Sequence, residues 1–135
     1  GLLFLNPSQV WLQPPGYVTR MISRNHQPLL VKSEVEGPAR QLDVNAKRSQ
    51  DGKTLVLQVV NLADRPVPAK IRLDGFSTSR PIAVVEALAG ELNTVNTADQ
   101  PNRLTPKRTE WRHELASGVS PYTFAAHSFT VLRLE

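Results

Sequence analysis

Apolar positions change their spacing along this chain, and the change divides it. Before Leu29 they fall at helical intervals; after it they recur at every second residue. One run in the second part breaks the alternation. Leu55-Val56-Leu57-Gln58-Val59-Val60 is almost wholly apolar and rich in β-branched residues, with Asp51-Gly52 before it and Asn61 and Pro66 after it. Such a run between turn signals predicts a strand buried on both faces. That strand needs sheet neighbours and a covering layer on each side, so the fold is expected to be built around it.

The neighbouring segments supply candidates. Leu42, Val44 and Ala46 alternate with Asp43, Asn45 and Lys47, which predicts a strand with one wet face. Asp51-Gly52 then favours a tight antiparallel hairpin into the central strand. Leu30 to Val35 reads as a strand stopped by Gly37-Pro38, with Glu34 in it. Ala69, Ile71 and Leu73 alternate with Lys70 and Arg72 and predict a second hairpin partner. Ile82 to Leu88 is a further strand, ended by Gly90. Thr109 to His113, Tyr122 to Phe124 and Ser128 to Leu134 close the chain. The last of these alternates imperfectly, so its inner face is left unassigned. About seven strands at regular spacing indicate a β-sandwich or barrel. The expected shared core is Leu55, Leu57, Val59, Ile71, Val84 and Val44. Glu91 to Lys107 is polar and holds Asn93, Asn96, Pro101, Asn102 and Pro106. It reads as a long surface loop that is functional or lies over a sheet edge.

The first 28 residues follow different rules. Leu2 to Leu5 is apolar and Asn6-Pro7 breaks it; Val10-Trp11-Leu12 is a brief extended piece. Pro14-Pro15 suits the first turn of a helix, where a missing N–H costs nothing. Tyr17, Val18, Met21 and Ile22 then lie at helical spacing, with Arg20 and Arg24 off that face. Asn25, Gln27 and Pro28 end the segment. A helix of about ten residues is marginal alone, so Val18, Met21 and Ile22 are expected to dock on the sandwich or a neighbour. Trp11 reads as a packing residue. The fold class is therefore all-β: an antiparallel β-sandwich with one short N-terminal helix.

Bulk composition narrows the options. A chain of 135 residues fits one domain. It has no cysteine, which excludes disulfides and thiolate metal sites. No apolar run approaches the roughly 20 residues of a membrane helix, and Leu2 to Leu5 is too short for a signal-peptide core. Gly1 reads as a remnant, so the chain is taken as cut from a longer protein. The net charge is +4, but Arg20, Arg24, Lys47, Arg48, Lys107, Arg108 and Arg112 are spread out. Nucleic-acid binding needs them on one face with interleaved aromatics. Neither nucleic acid nor membrane is expected as a partner.

The residues that carry chemistry are sparse. His26, His113 and His127 lack metal-ligand spacing, and His26 falls at the predicted helix end, where a cation is favourable. There is no Gly-rich phosphate loop and no Gly-x-Ser-x-Gly elbow. Sugar hydrolysis requires a facing pair of carboxylates. The candidates are Glu34 and Glu36, which alternate on one predicted face, and Glu91, Glu110 and Glu114, in or near loops. Most such groups solvate a surface. Glu86 stands apart because its neighbours on both sides are apolar. No catalytic, cofactor-binding or metal-binding residue is assigned.

The stretch from Glu91 to Pro106 resembles the C-terminal domain of the α-L-arabinofuranosidases of glycoside hydrolase family 51. That family has an Asn-Thr pair, a proline a few residues on and a second proline in this loop. Here Asn96-Thr97, Pro101 and Pro106 stand in those places. Pro121-Tyr122-Thr123-Phe124 with Ser128 to Leu134 looks like the same domain's closing strand, and Asn61-Leu62 after an apolar strand also fits. Pro14-Pro15-Gly16-Tyr17-Val18 is similar to the stretch that follows the last barrel strand in these enzymes. The resemblance implies a sandwich of jelly-roll type at residues 29–135, with residues 1–28 as the tail of a (β/α)8 catalytic barrel. It implies that both catalytic glutamates lie upstream of Gly1 and that no position here inherits them.

Three functions compete. The first is a non-catalytic accessory sandwich of a hydrolase that removes terminal α-L-arabinofuranosyl residues from arabinan or arabinoxylan, covering the barrel and building subunit contacts. The second is a stand-alone carbohydrate-binding module, which usually presents aromatic rings in a row; here Trp11, Trp111, Tyr17 and Tyr122 are scattered and aromatics total 6%. The third is an autonomous glycosidase, which the missing barrel disfavours.

Overall fold

The computed structural model describes residues 1–135. Its strands are β1 (Leu3–Asn6), β2 (Gln9–Leu12), β3 (Leu29–Val31), β4 (Leu42–Arg48), β5 (Leu55–Asn61), β6 (Val67–Arg72), β7 (Ile82–Ala89), β8 (Lys107–Arg112), β9 (Val119–Phe124) and β10 (Ser128–Leu134). One helix, α1, spans Pro14–Arg24. A six-stranded antiparallel sheet has the order β3-β4-β5-β10-β7-β8. A two-stranded sheet, β6-β9, covers one of its faces, and α1 with the β1-β2 hairpin lies against the other.

The expected central strand is β5, buried along nearly its whole length. Its neighbours are β4 and the final strand, β10, in full register from Leu134 opposite Leu55 to Ser128 opposite Asn61. Strand parity then sorts the side chains. Leu55, Leu57 and Val59 face the small sheet with Leu132 and Leu134, while Val56 and Val131 face the helix. The inner face of the last strand is thus set by its register against β5.

The sandwich core unites Leu42, Ala46, Leu55, Leu57, Val59, Ala83, Val85, Leu132 and Leu134 with Val67 and Phe124 from the small sheet. Val44 and Ile71, expected in the core, are half-buried and pack against its margin. Val84 is not in it. Ala83 and Val85 point inward, so Val84 between them faces the other side of the sheet.

Several expected elements differ. The strand read from Leu30 to Val35 ends at Val31. It has only β4 as a partner, and Lys32, Ser33, Glu34 and Glu36 are all exposed, leaving no face to bury. The β6 segment is not a hairpin partner of β5: it crosses to the other sheet and pairs with β9, because β10 occupies the free edge of β5. The turn between β4 and β5 runs over six residues, 49–54, with Gly52 at φ 72° and Ser49 paired to Thr54. The chain has ten strands, and the first hairpin was read only as an apolar run and an extended piece. Its turn is Asn6-Pro7-Ser8, where the Asn6 side-chain oxygen accepts bonds from the Ser8 and Gln9 amides at 3.0 and 2.9 Å.

Asn61 ends β5 and fixes the crossing. It is fully buried. Its Nδ2 donates to the carbonyls of Arg65, Phe124 and Ala125, and its Oδ1 accepts from the Ala63 amide at 3.0 Å. One side chain therefore ties the end of β5 to the turn between β9 and β10.

Two substitutions test this packing. Leu57→Ala should lower unfolding free energy in urea by roughly 2–5 kcal/mol, as other buried large-to-small changes do; a loss within error of zero would remove Leu57 from the core. Asn61→Ala should cost at least about 1–3 kcal/mol, because it leaves buried carbonyls without a donor.

Candidate functional site

The structure brings two parts of the molecule together that are far apart in sequence. The loop from Gly90 to Pro106 joins β7 to the edge strand β8. It crosses to the junction between β2 and α1 and is riveted there by Asn96, which is 2% exposed. Asn96 Nδ2 donates to the carbonyls of Leu12 and Leu104, each at 2.9 Å, and its Oδ1 accepts from the Leu104 amide at 2.8 Å. The Asn96 amide donates to Gln13 Oε1 at 3.1 Å. Its carbonyl accepts from Gln13 Nε2 and from the Trp11 indole, the latter at 3.0 Å. Gln9 Nε2 donates to the Ala98 carbonyl at 2.7 Å.

Local sequence explains why the junction is free to be used this way. Pro14 and Pro15 occupy the first turn of α1, so two of the amides that a helix start leaves unpaired do not exist. Gln13 at the cap position makes no capping bond and spends its side chain on Asn96 instead. Gly16 is required by close approach: a Cβ there would stand 2.3 Å from the Leu2 carbonyl oxygen. The helix then lays Tyr17 and Met21 on Val56, Leu88 and Val131, with Val18 half-buried beside them. Arg20 lies over the Tyr17 ring at 4.8 Å. Ile22, expected to be buried, is exposed, because it falls one position past the Tyr17–Met21 stripe.

Leu12, opposite Leu3, packs beside the cluster of Tyr17 and Met21, but the rest of the hairpin leaves apolar side chains exposed on both faces. Leu3, Leu5 and Val10 are 53%, 70% and 61% exposed, and Leu5 pairs with Val10 across the hairpin. On the opposite face Phe4 stacks on Trp11 at 6.1 Å.

The carboxylates are dispersed. Glu34 lies in an exposed loop and pairs with Lys32 at 2.6 Å. Glu36, Glu91, Glu110 and Glu114 are exposed. Glu86, on β7, is half-buried on the helix side of the sheet, directly opposite Arg108 and Val131. Glu110 is its diagonal neighbour on that open face. A polar cleft of about 400 Å³ lies elsewhere, between Arg112, His113, Glu114, Ser120 and Pro121, and holds one carboxylate.

The histidines lie apart, and no three His, Cys, Asp or Glu side chains group as metal ligands. His26 is exposed beyond the helix end. His127 takes a left-handed φ of 43° in the turn before β10. His113 is buried; its Nδ1 accepts weakly from the Leu115 amide at 3.4 Å, and desolvation holds its pKa below the usual imidazole range.

Aromatic residues that are scattered in sequence gather in part. Trp111 meets Tyr122 at 5.2 Å, Tyr122 meets Phe124 at 4.8 Å, and His113 lies 5.3 Å from Trp111. These rings are tilted by 57–72° to one another and line the space between the sheets. They are core packing, with no shared flat face for a sugar ring.

No helix of the chain is long and apolar enough to cross a membrane. Sequence reasoning singled out Asn96 only as part of a motif. Its side chain joins the Leu12 carbonyl, 84 residues away, to the backbone of Leu104 in its own loop, which side-chain patterning cannot reveal.

Comparison with known proteins follows this geometry. Residues 2–128 match the family model described as the α-L-arabinofuranosidase C-terminal domain. Among solved structures, the whole chain superposes on 31% of a thermostable family-51 α-L-arabinofuranosidase from Thermotoga petrophila, at 24% identity and a TM-score of 0.87. An α-L-arabinofuranosidase from Thermotoga maritima, solved with arabinose, matches over 98% of this chain and 31% of its own, at 24% identity and a TM-score of 0.86. The catalytic domain of a family-30 xylanase from Talaromyces cellulolyticus shares the fold at 19% identity, over 100% of this chain and 27% of its own, with a TM-score of 0.66. No curated protein gives a match. The chain thus spans about a third of the length of the arabinofuranosidases it resembles. With the family model matched almost end to end and an antiparallel sandwich that superposes in full, this chain belongs to the α-L-arabinofuranosidase C-terminal domain family.

Proposed function

We propose that the chain is the non-catalytic accessory domain of an α-L-arabinofuranosidase that removes terminal arabinofuranosyl residues from arabinan or arabinoxylan. In this reading residues 1–28 are the tail of a catalytic (β/α)8 barrel and residues 29–135 are the sandwich that supports it. The catalytic glutamate pair belongs to the barrel. The observation that carries the reading is the exposed apolar surface of the hairpin. Leu3, Leu5 and Val10 are exposed together, with Leu5 directly opposite Val10. Apolar side chains grouped on one surface call for a covering partner. The relatives are about three times as long, which supplies a source for that cover.

The carboxylates bear on the same reading and supply its test. A retaining glycosidase holds its two carboxyl groups about 5 Å apart across a sugar ring. Glu86 and Glu110 are diagonal neighbours on β7 and β8, Arg108 is directly opposite Glu86, and Glu114 is the one carboxylate of its cleft. A fold shared with both an arabinofuranosidase and a xylanase does not by itself bring a substrate.

Two measurements follow. The 135-residue chain, incubated at high concentration with 4-nitrophenyl α-L-arabinofuranoside, should release phenolate no faster than buffer; turnover abolished by Glu86→Gln would put catalysis on the sandwich and overturn the reading. Leu5→Lys with Val10→Lys should leave the melting temperature of this chain unchanged, because both side chains are already solvated. In the longer enzyme the same pair should lower it by several degrees, since a buried interface loses apolar area. Equal effects in the two proteins would mean that nothing covers this face.

A further inference from the structure

Two attachments hold residues 2–25 on the sandwich, and they differ in kind. The first is apolar: Tyr17 and Met21 on Val56, Leu88 and Val131. Apolar burial is non-directional, so it holds a short helix down without fixing its angle. The second is the set of hydrogen bonds around Asn96, which has distance and direction built in.

We propose that Asn96 is a positioning residue for the catalytic domain: it sets the orientation in which the hairpin, and the domain docked on it, leaves the sandwich. The inference rests on the accessory-domain reading above and adds a named residue to it. The hairpin needs this support. β1 pairs only with β2, and an isolated two-stranded hairpin is marginal in water. Its order comes from Gln13 donating its amide to the Leu2 carbonyl at 3.0 Å and from the bonds of Gln9, Trp11, Leu12 and Gln13 to the loop.

Asn96 suits the task because its side chain both donates and accepts. Nδ2 reaches one carbonyl on the hairpin side, Leu12, and one within its own loop, Leu104, while Oδ1 takes the Leu104 amide. Aspartate has no donor for the two carbonyls, and a hydroxyl has a single hydrogen for them. The loop is tied back to the sheet at Gly90, whose amide bonds the His127 carbonyl and whose Cα lies against Leu104. Force on the hairpin therefore passes through Asn96 and Leu104 to the turn before β10. Catalytic geometry is sensitive to displacements of an ångström or so, which makes such a joint matter to the reaction without any contact to substrate.

The test uses Asn96→Asp and Gln13→Met, each in the 135-residue chain and in the longer enzyme. Gln13→Met removes both Gln13 bonds to the Asn96 backbone and tests the same joint from the hairpin side if Asn96→Asp does not fold. In the short chain the Trp11 indole N–H resonance should exchange with solvent about tenfold faster or more in either variant, with the Trp111 indole unmoved. In the longer enzyme kcat should fall about tenfold while KM for the aryl arabinofuranoside changes little. A protected Trp11 indole, or faster exchange with kcat at the wild-type value, would overturn the proposal. A wild-type longer enzyme that does not cleave arabinofuranosides would instead overturn the accessory-domain reading, and the Trp11 signal would still decide whether Asn96 couples hairpin to sandwich.

Discussion

The closing strand of the chain lies in the middle of its main sheet, and most of the structure depends on that pairing. β10 bonds β5 along its whole length and β7 along most of it. Leu132 and Leu134 enter the sandwich core, while Val131 enters the helix-side cluster. The surface on which α1 docks is thus completed by residues more than 100 positions later in the chain. Until β10 is in place β5 has an open edge, β7 has no inner neighbour, and Met21 lacks one of its partners. Such non-local pairing is slow to form and ties the two ends of the chain into one cooperative unit.

Two buried asparagines supply the direction that apolar packing lacks. Asn61 holds the end of β5 to the turn before β10, and Asn96 holds the long loop to the start of α1. Both spend their amide hydrogens on backbone carbonyls, so each fixes chain path with few demands on the side chains around it. Hydrophobic layers hold the sheets and helix together; these amides decide which segment lies where. The outcome is a firm support with a bare apolar hairpin at one end and dispersed carboxylates. That suits a domain whose work is to hold another in place.

Much of the fold was legible in the sequence, and the rest was hidden for identifiable reasons. The double-sided burial of β5 followed from its unbroken apolar run, and α1 from Pro14-Pro15 and the Tyr17–Met21 spacing. Period-two alternation found β4 and β6, and an apolar run ended by Gly90 found β7. It did not say that β6 pairs with β9, because alternation reports a buried face and not the partner across it. Val84 was misplaced for a related reason: Ala83 and Val85 are as apolar as Val84, so composition cannot choose the inward parity. The strand predicted through Val35 ended early because nothing in Lys32 to Glu36 had a face to bury. Family resemblance pointed to Asn96-Thr97 as characteristic, but the role of Asn96 rests on carbonyls at Leu12 and Leu104 that only the folded chain brings together.

Apolar contacts of Tyr17 and Met21 and the hydrogen bonds of Asn96 hold hairpin, helix and sandwich together. Native-state hydrogen exchange on the unaltered 135-residue chain tests that attachment most directly. The account predicts that the paired amides of β1 and β2 exchange with protection comparable to those of β4 and β7, with β5 and β10 the slowest. Hairpin amides exchanging near the unprotected rate, while β5 and β10 stay protected, would contradict it.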